Sequence, residues 1–107
     1  ERASRYKGAK VKREAEELVI WQARAQLRGY RAKSPVRMRY RWVERNRCRD
    51  KDNISGFGRK VIQDALVRCG VLPDDGWAWV LGVSDSFDVS RKNPRIEVEL
   101  EEVGGND

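Results

Sequence analysis

The sharpest pattern along the chain is a strict alternation over residues 36–43. Val36, Met38, Tyr40 and Trp42 take one set of positions, and Arg37, Arg39 and Arg41 take the other. Strand side chains point to opposite faces with period two, so this segment predicts a β-strand with one buried and one wet face. Upstream the period changes. Val11, Ala15, Leu18, Val19 and then Gln22 or Ala25 recur at helical spacing, flanked by Trp21. They predict a helix over 9–27 that stops at Arg28-Gly29-Tyr30, with Gly29 suited to the left-handed position past its end. A second apolar stripe, running from Ile54 and Phe57 through Val61, Ile62, Ala65 and Leu66 to Cys69, predicts a helix over 54–69. Asp52 or Asn53 suits its N-cap, and Gly70 suits its stop. Gly56 and Gly58 weaken the first turn and move the firm part of the helix toward Arg59.

Pro73-Asp74-Asp75-Gly76 is a turn by composition. After it, Trp77, Trp79, Leu81 and Val83 alternate with smaller residues, which predicts a strand over 77–83 continuing toward Phe87. Asn93-Pro94 breaks the chain. Ile96, Val98 and Leu100 then alternate with Glu97, Glu99 and Glu101, predicting a last strand over 95–103. The order α-β-α-β-β predicts a single α+β domain over 1–107, a small mixed β-sheet with two helices packed on one face. The last two strands are expected to form an antiparallel hairpin. Residues 1–8 and 104–107 are expected to be flexible. By their alternation, Trp42 and Trp79 are expected in the core. The arginines at 37, 39 and 41 have two roles open to them: cross-strand pairing with the last strand's glutamates, or contact with DNA.

Charge narrows the class of partner. The net charge is +6, and it is uneven: residues 1–50 carry a net +10 and residues 51–107 a net −4. A basic half points to a polyanion such as nucleic acid. No apolar stretch is long enough for a membrane span, so a cytoplasmic protein is expected. The chain has two cysteines, Cys48 and Cys69, and no histidine. That excludes a Cys–His nucleophile and leaves no structural zinc set. Cys69 is expected to be a buried thiol on an apolar helix face.

Against this basic background stands an acidic group. Asp50 and Asp52 flank one residue and would share a side of an extended segment. They follow directly on Arg45, Arg47 and Arg49, and Asp74-Asp75 come in the turn after the second helix. Carboxylates held together need a cation between them, and hard oxygen ligands favour Mg²⁺ or Mn²⁺. Such a metal can activate water and offset charge on a phosphodiester. The plainer reading makes Asp52 and Asn53 helix caps and Asp74-Asp75-Gly76 an ordinary turn, and spacing alone favours it.

A longer pattern adds to the spacing. Asp50-Lys51-Asp52-Asn53, then Lys60, Asp64-Ala65-Leu66, Gly70 and Asp74-Asp75 resemble, in order and type, the signature of the RusA family of Holliday-junction resolvases. The resemblance covers roughly residues 45–80. Asn93-Pro94-Arg95-Ile96-Glu97-Val98 and the Trp77 segment are similar to the phage and prophage branch of that family. The resemblance implies a homodimeric, Mg²⁺-dependent endonuclease acting on four-way DNA junctions in a bacterial cytoplasm, with no small-molecule cofactor. It implies Asp50, Asp52 and Asp75 as catalytic metal ligands, with Asp74 able to share the role of Asp75. Lys60 matches the active-site lysine; its alternative is an ion pair with Asp64 one turn on. Arg45, Arg47, Arg49, Lys51 and Arg59 are the expected DNA contacts. Two departures stand out. The segment from Asn53 to Lys60 is longer than in the founding members by about one helical turn. The family's N-terminal strand also has no counterpart here, so a piece of the domain is expected to precede Glu1. Two alternatives remain: a branched or flap DNA nuclease with the same site, and a non-catalytic basic nucleic-acid-binding module.

Overall fold

A computed structural model describes residues 2–103, apart from the side chains of 2–8 and 52–54. The elements follow the expected order: α1 (Arg2–Leu27), β1 (Val36–Glu44), α2 (Lys51–Arg68), β2 (Val80–Val89) and β3 (Arg95–Glu102). The fold is α+β, with two helices and a three-stranded mixed sheet. Helix α1 begins at Arg2, so residues 2–8 are helical rather than irregular.

The alternation over 36–43 decides the sheet. Val36, Met38, Tyr40 and Trp42 are buried, and the arginines between them are exposed. The buried set forms a core with Ile62 and Leu66 of α2, Ala23 of α1, and Val71 and Leu72 after α2. Tyr40 and Trp42 stack with their ring centroids 5.3 Å apart. Such rings supply most of a small core's burial. Burial also holds the Tyr40 hydroxyl protonated up to about 12; Gln63 Nε2 donates to it at 3.0 Å.

Both helices lie on this inner face. Gly58 is why α2 approaches so closely: a Cβ there would sit 2.5 Å from Cζ3 of Trp42. The glycine that weakens helix propensity thus makes room for the core's largest ring. Helix α2 begins at Lys51, not near Arg59. Tertiary packing outweighs the propensity cost of two glycines, which is about 1 kcal/mol each. Helix α1 packs on α2 through Lys12–Asp64 at 3.0 Å and Arg68–Glu16 at 2.8 Å. Both helices end at left-handed glycines, Gly29 (φ 84°) and Gly70 (φ 87°), as the sequence predicts for the first of them.

Strand order corrects the expected hairpin. The sheet runs β2-β1-β3, with β1 central, parallel to β2 and antiparallel to β3. β2 and β3 are therefore not neighbours. The strand of greatest apolar alternation takes the middle, where both edges are paired and one face is fully covered. Strand β2 also starts later than expected. Trp77 to Trp79 form a turn in which Gly76 O accepts from the Trp79 and Val80 N–H groups. Trp77 is consequently 95% exposed and Trp79 only half-buried, whereas Trp42 is buried as expected. Cys69 is half-buried rather than fully enclosed.

The register settles the outer face. Arg37, Arg39 and Arg41 lie opposite Glu101, Glu99 and Glu97 of β3. Arg39 bonds Glu101 at 2.6 Å and Glu99 at 3.2 Å. Arg41 bonds Asp88 at 2.7 Å and Glu97 at 3.2 Å. For Arg39 and Arg41, pairing within the sheet takes up the charge.

Candidate functional site

The crossover from β1 through α2 to β2 fixes where each candidate residue sits. Because β1 and β2 are parallel, α2 must run back along the sheet. Its N-terminus lies at the Glu44 end of β1 and its C-terminus at the Val36 end. Eighteen residues of helix separate the two ends by about 27 Å.

Asp50 sits at the first of these ends. It is the N-cap position of α2, extended at φ −68° and ψ 138°, exposed, and its side chain makes no capping hydrogen bond. The expected cap at Asp52 or Asn53 is displaced two or three residues upstream. Asp52 falls inside the first helical turn, so the Asp50–Asp52 segment is not extended as expected; the Asp52 side chain lies outside the described residues.

Asp74 and Asp75 sit at the other end, both exposed. Before them, the Val71 and Leu72 N–H groups return to Leu66 O, and Val71 O accepts from Ala32. After them, Gly76 leads into Trp79, whose carbonyl accepts from the Val36 N–H. The Asp74 carboxylate itself accepts from the Gly76 N–H at 3.3 Å, as turn aspartates do. Asp74 and Asp75 are thus held at the C-terminal end of α2, opposite Asp50. Within one chain these aspartates do not form one donor set. No group of three metal-ligating side chains is found among the described residues.

Lys60 lies midway along α2, about 15 Å of helix axis from Asp50. It is exposed and 3.9 Å from Asp64, which Lys12 holds more closely at 3.0 Å. The ion-pair alternative is the contact this chain makes.

The expected DNA contacts divide. Arg49 is taken up by a two-point bond to Glu44, Nε to Oε1 at 3.1 Å and Nη2 to Oε2 at 3.0 Å. Arg59 bonds Ser55 O at 3.3 Å and lies 3.7 Å from Asp85. Arg45 and Arg47 are exposed and make no ion pair among the described residues. Lys51 opens α2 with its ammonium 5.3 Å from the Phe87 ring centroid. These three cations share the Asp50 end, where the helix dipole adds positive potential.

Sequence reasoning missed Asp85. It stands on the inner face of β2, level with Tyr40, and accepts from Trp42 Nε1 at 2.8 Å. Buried indoles need an acceptor, and Asp85 supplies it while Arg59 offsets its charge. Its signal was an acidic residue at an inward position of the strand.

Comparison with protein-family models and with curated proteins gives no match to this chain. No helix among the described residues is long and apolar enough to cross a membrane.

Proposed function

We propose that the protein is a Mg²⁺-dependent endonuclease of branched DNA, acting in the bacterial cytoplasm as a homodimer. One observation carries the reading. The segment Asp50-Lys51-Asp52-Asn53, in the order that resembles junction resolvases, opens a helix at the end of the sheet where Arg45 and Arg47 stay unpaired among the described residues. Cations there draw in phosphates, and carboxylates beside them suit a hard metal ion.

The divided aspartates give the homodimer a chemical reason. If Asp75 acts on the same phosphate as Asp50, the two must come from different protomers, because α2 separates them within one. A twofold axis that sets one protomer's Asp50 end against its partner's Asp75 end forms two identical composite sites. Two sites also suit paired incisions in a four-way junction.

The test is cleavage of a synthetic four-way junction with Mg²⁺, against plain duplex of the same sequence. Asp50→Asn and Asp75→Asn should each abolish cutting. Mixing the two inactive variants should restore part of it, since a mixed dimer keeps one intact composite site. No restoration on mixing, with each variant still dimeric, removes the composite site. Full activity in Asp50→Asn removes Asp50 from the site, and no cutting by the unaltered chain removes the endonuclease reading. Equal cutting of duplex and junction makes the enzyme a general or flap nuclease instead.

A further inference from the structure

We infer that the turn joining β2 to β3, with Arg91 and Lys92 at its tip, forms one continuous DNA-backbone surface with Arg45 and Arg47. The inference rests on the nucleic-acid reading above and names its contact surface.

The strand order forces the juxtaposition. β2 and β3 flank β1, so the chain between them cannot turn as a hairpin. It must span two strand spacings, about 10 Å, across the end of β1. The Ser90 N–H donates to Glu44 O at 2.7 Å, which places the turn against the last residue of β1. From that same residue the chain leaves into Arg45-Asn46-Arg47. Two basic segments more than 40 positions apart in sequence thus meet at one end of the sheet.

The turn is built to hold this shape. Ser90 Oγ accepts from the Asn93 N–H at 3.2 Å, and Arg95 Nη1 donates to Asn93 O at 2.8 Å. Pro94 then fixes the entry to β3. On the other segment, Glu44 restrains the loop through Arg49, and Asn46 Oδ1 accepts from the Cys48 N–H at 2.9 Å.

Arg39, Arg41, Arg49, Arg59, Arg68 and Arg95 all have acidic partners. Arg45, Arg47, Arg91 and Lys92 are exposed and have none among the described residues. Unpaired cations also lie elsewhere on the described surface, at Lys10, Arg13, Arg24, Arg28, Lys33 and Arg37; this end differs in that the strand order brings four of them together from two distant segments. Four like charges held together at one end repel one another. Fixed backbones on both segments keep them there, and a polyanion removes the cost. The N-terminus of α2 opens at the same end. Phosphates lying across it would run beside Asp50.

The experiment is the salt dependence of binding to a fluorescent four-way junction, without divalent metal, using the full chain. Each lost phosphate contact lowers the slope of log K against log[salt] by about 0.9 on duplex arms. Arg91→Ala/Lys92→Ala should reduce the slope by about 1 to 2 and weaken binding roughly tenfold near 0.1 M salt. Arg45→Ala/Arg47→Ala should do the same, while Arg39→Ala should leave the slope as it was. An unchanged slope in Arg91→Ala/Lys92→Ala, with junction cleavage intact, overturns the surface and spares the nuclease reading. A reduced slope with no cleavage by the unaltered chain upholds the surface and overturns the nuclease. Loss of binding to phosphatidylserine vesicles in that variant, with no junction binding by the unaltered chain, overturns both in favour of a lipid surface.

Discussion

Two arginine runs lie almost end to end in this chain and behave differently. Arg39 and Arg41 sit on β1 and are met across the sheet by Glu99, Glu101, Glu97 and Asp88. Arg45 and Arg47 begin only four residues later, past the end of the strand, and meet no described acid. The difference lies in the ladder, not in the residue type. Within it, Arg39 and Arg41 find acids on the neighbouring strands, while Arg37, opposite Glu101, makes no ion pair among the described residues; beyond it, a side chain has only what the loops bring. A basic patch in sequence therefore divides into a structural half and a half open to ligand.

The comparison holds only if the inner face of β1 keeps the ladder in place, so the largest expected effect is there. Trp42→Ala removes the most deeply packed ring and leaves Asp85 without its indole donor. It should lower unfolding free energy by about 3–5 kcal/mol in urea denaturation. A loss under about 1 kcal/mol would mean that the stacked face does not set the register. Next comes Gly58→Ala, which pushes a methyl into the Trp42 ring. Overpacking of this kind should cost about 1–3 kcal/mol. An unchanged stability would show that α2 can lift from the sheet without penalty.

A charge swap probes the structural half directly. Arg41→Glu sets like charges against Glu97 and Asp88, and should lower the melting temperature. Adding Glu97→Arg should restore part of the loss; no restoration would deny that the pair is coupled. The acids that hold the sheet's edge should make stability respond to acid. The Glu97 carboxyl is held below its ordinary 4.5 by hydrogen bonds from Arg95 and Arg41. Glu102 is lowered by the Tyr30 hydroxyl and by Ser34. A carboxyl with a depressed folded value adds stability that is complete above its ordinary value and fades as pH falls through the folded one. Thermal stability should thus hold at pH 6 and decline below about pH 4.5. Glu102→Gln should flatten part of that decline, and an equal decline in the variant would place the acid sensitivity elsewhere.

Much of the fold was legible. The two periods gave all five elements in order, with β1 and β3 matched to within a residue or so. Where expectation failed, a long-range contact intervened. Gly58 reads locally as a helix breaker, but the bulk of Trp42 requires it. Trp77 and Trp79 mimic strand alternation, but a turn at Gly76 claims them. The last two strands are adjacent in sequence, but β1 takes the place between them. The candidate site was legible as residue types and not as distances. Nothing local says that α2 would carry Asp74 and Asp75 to the far end from Asp50, nor that Arg91 and Lys92 would land beside Arg45.

The sequence alone determined the elements, the buried face of β1 and the basic half, because each depends on side chains a few residues apart. Strand order, the pairing of Arg39 and Arg41, the division of the aspartates and the joining of the two basic turns were decided only by tertiary structure. They depend on which strand takes the middle of the sheet. That choice is made by burial of a whole face against both helices, and no local pattern records it.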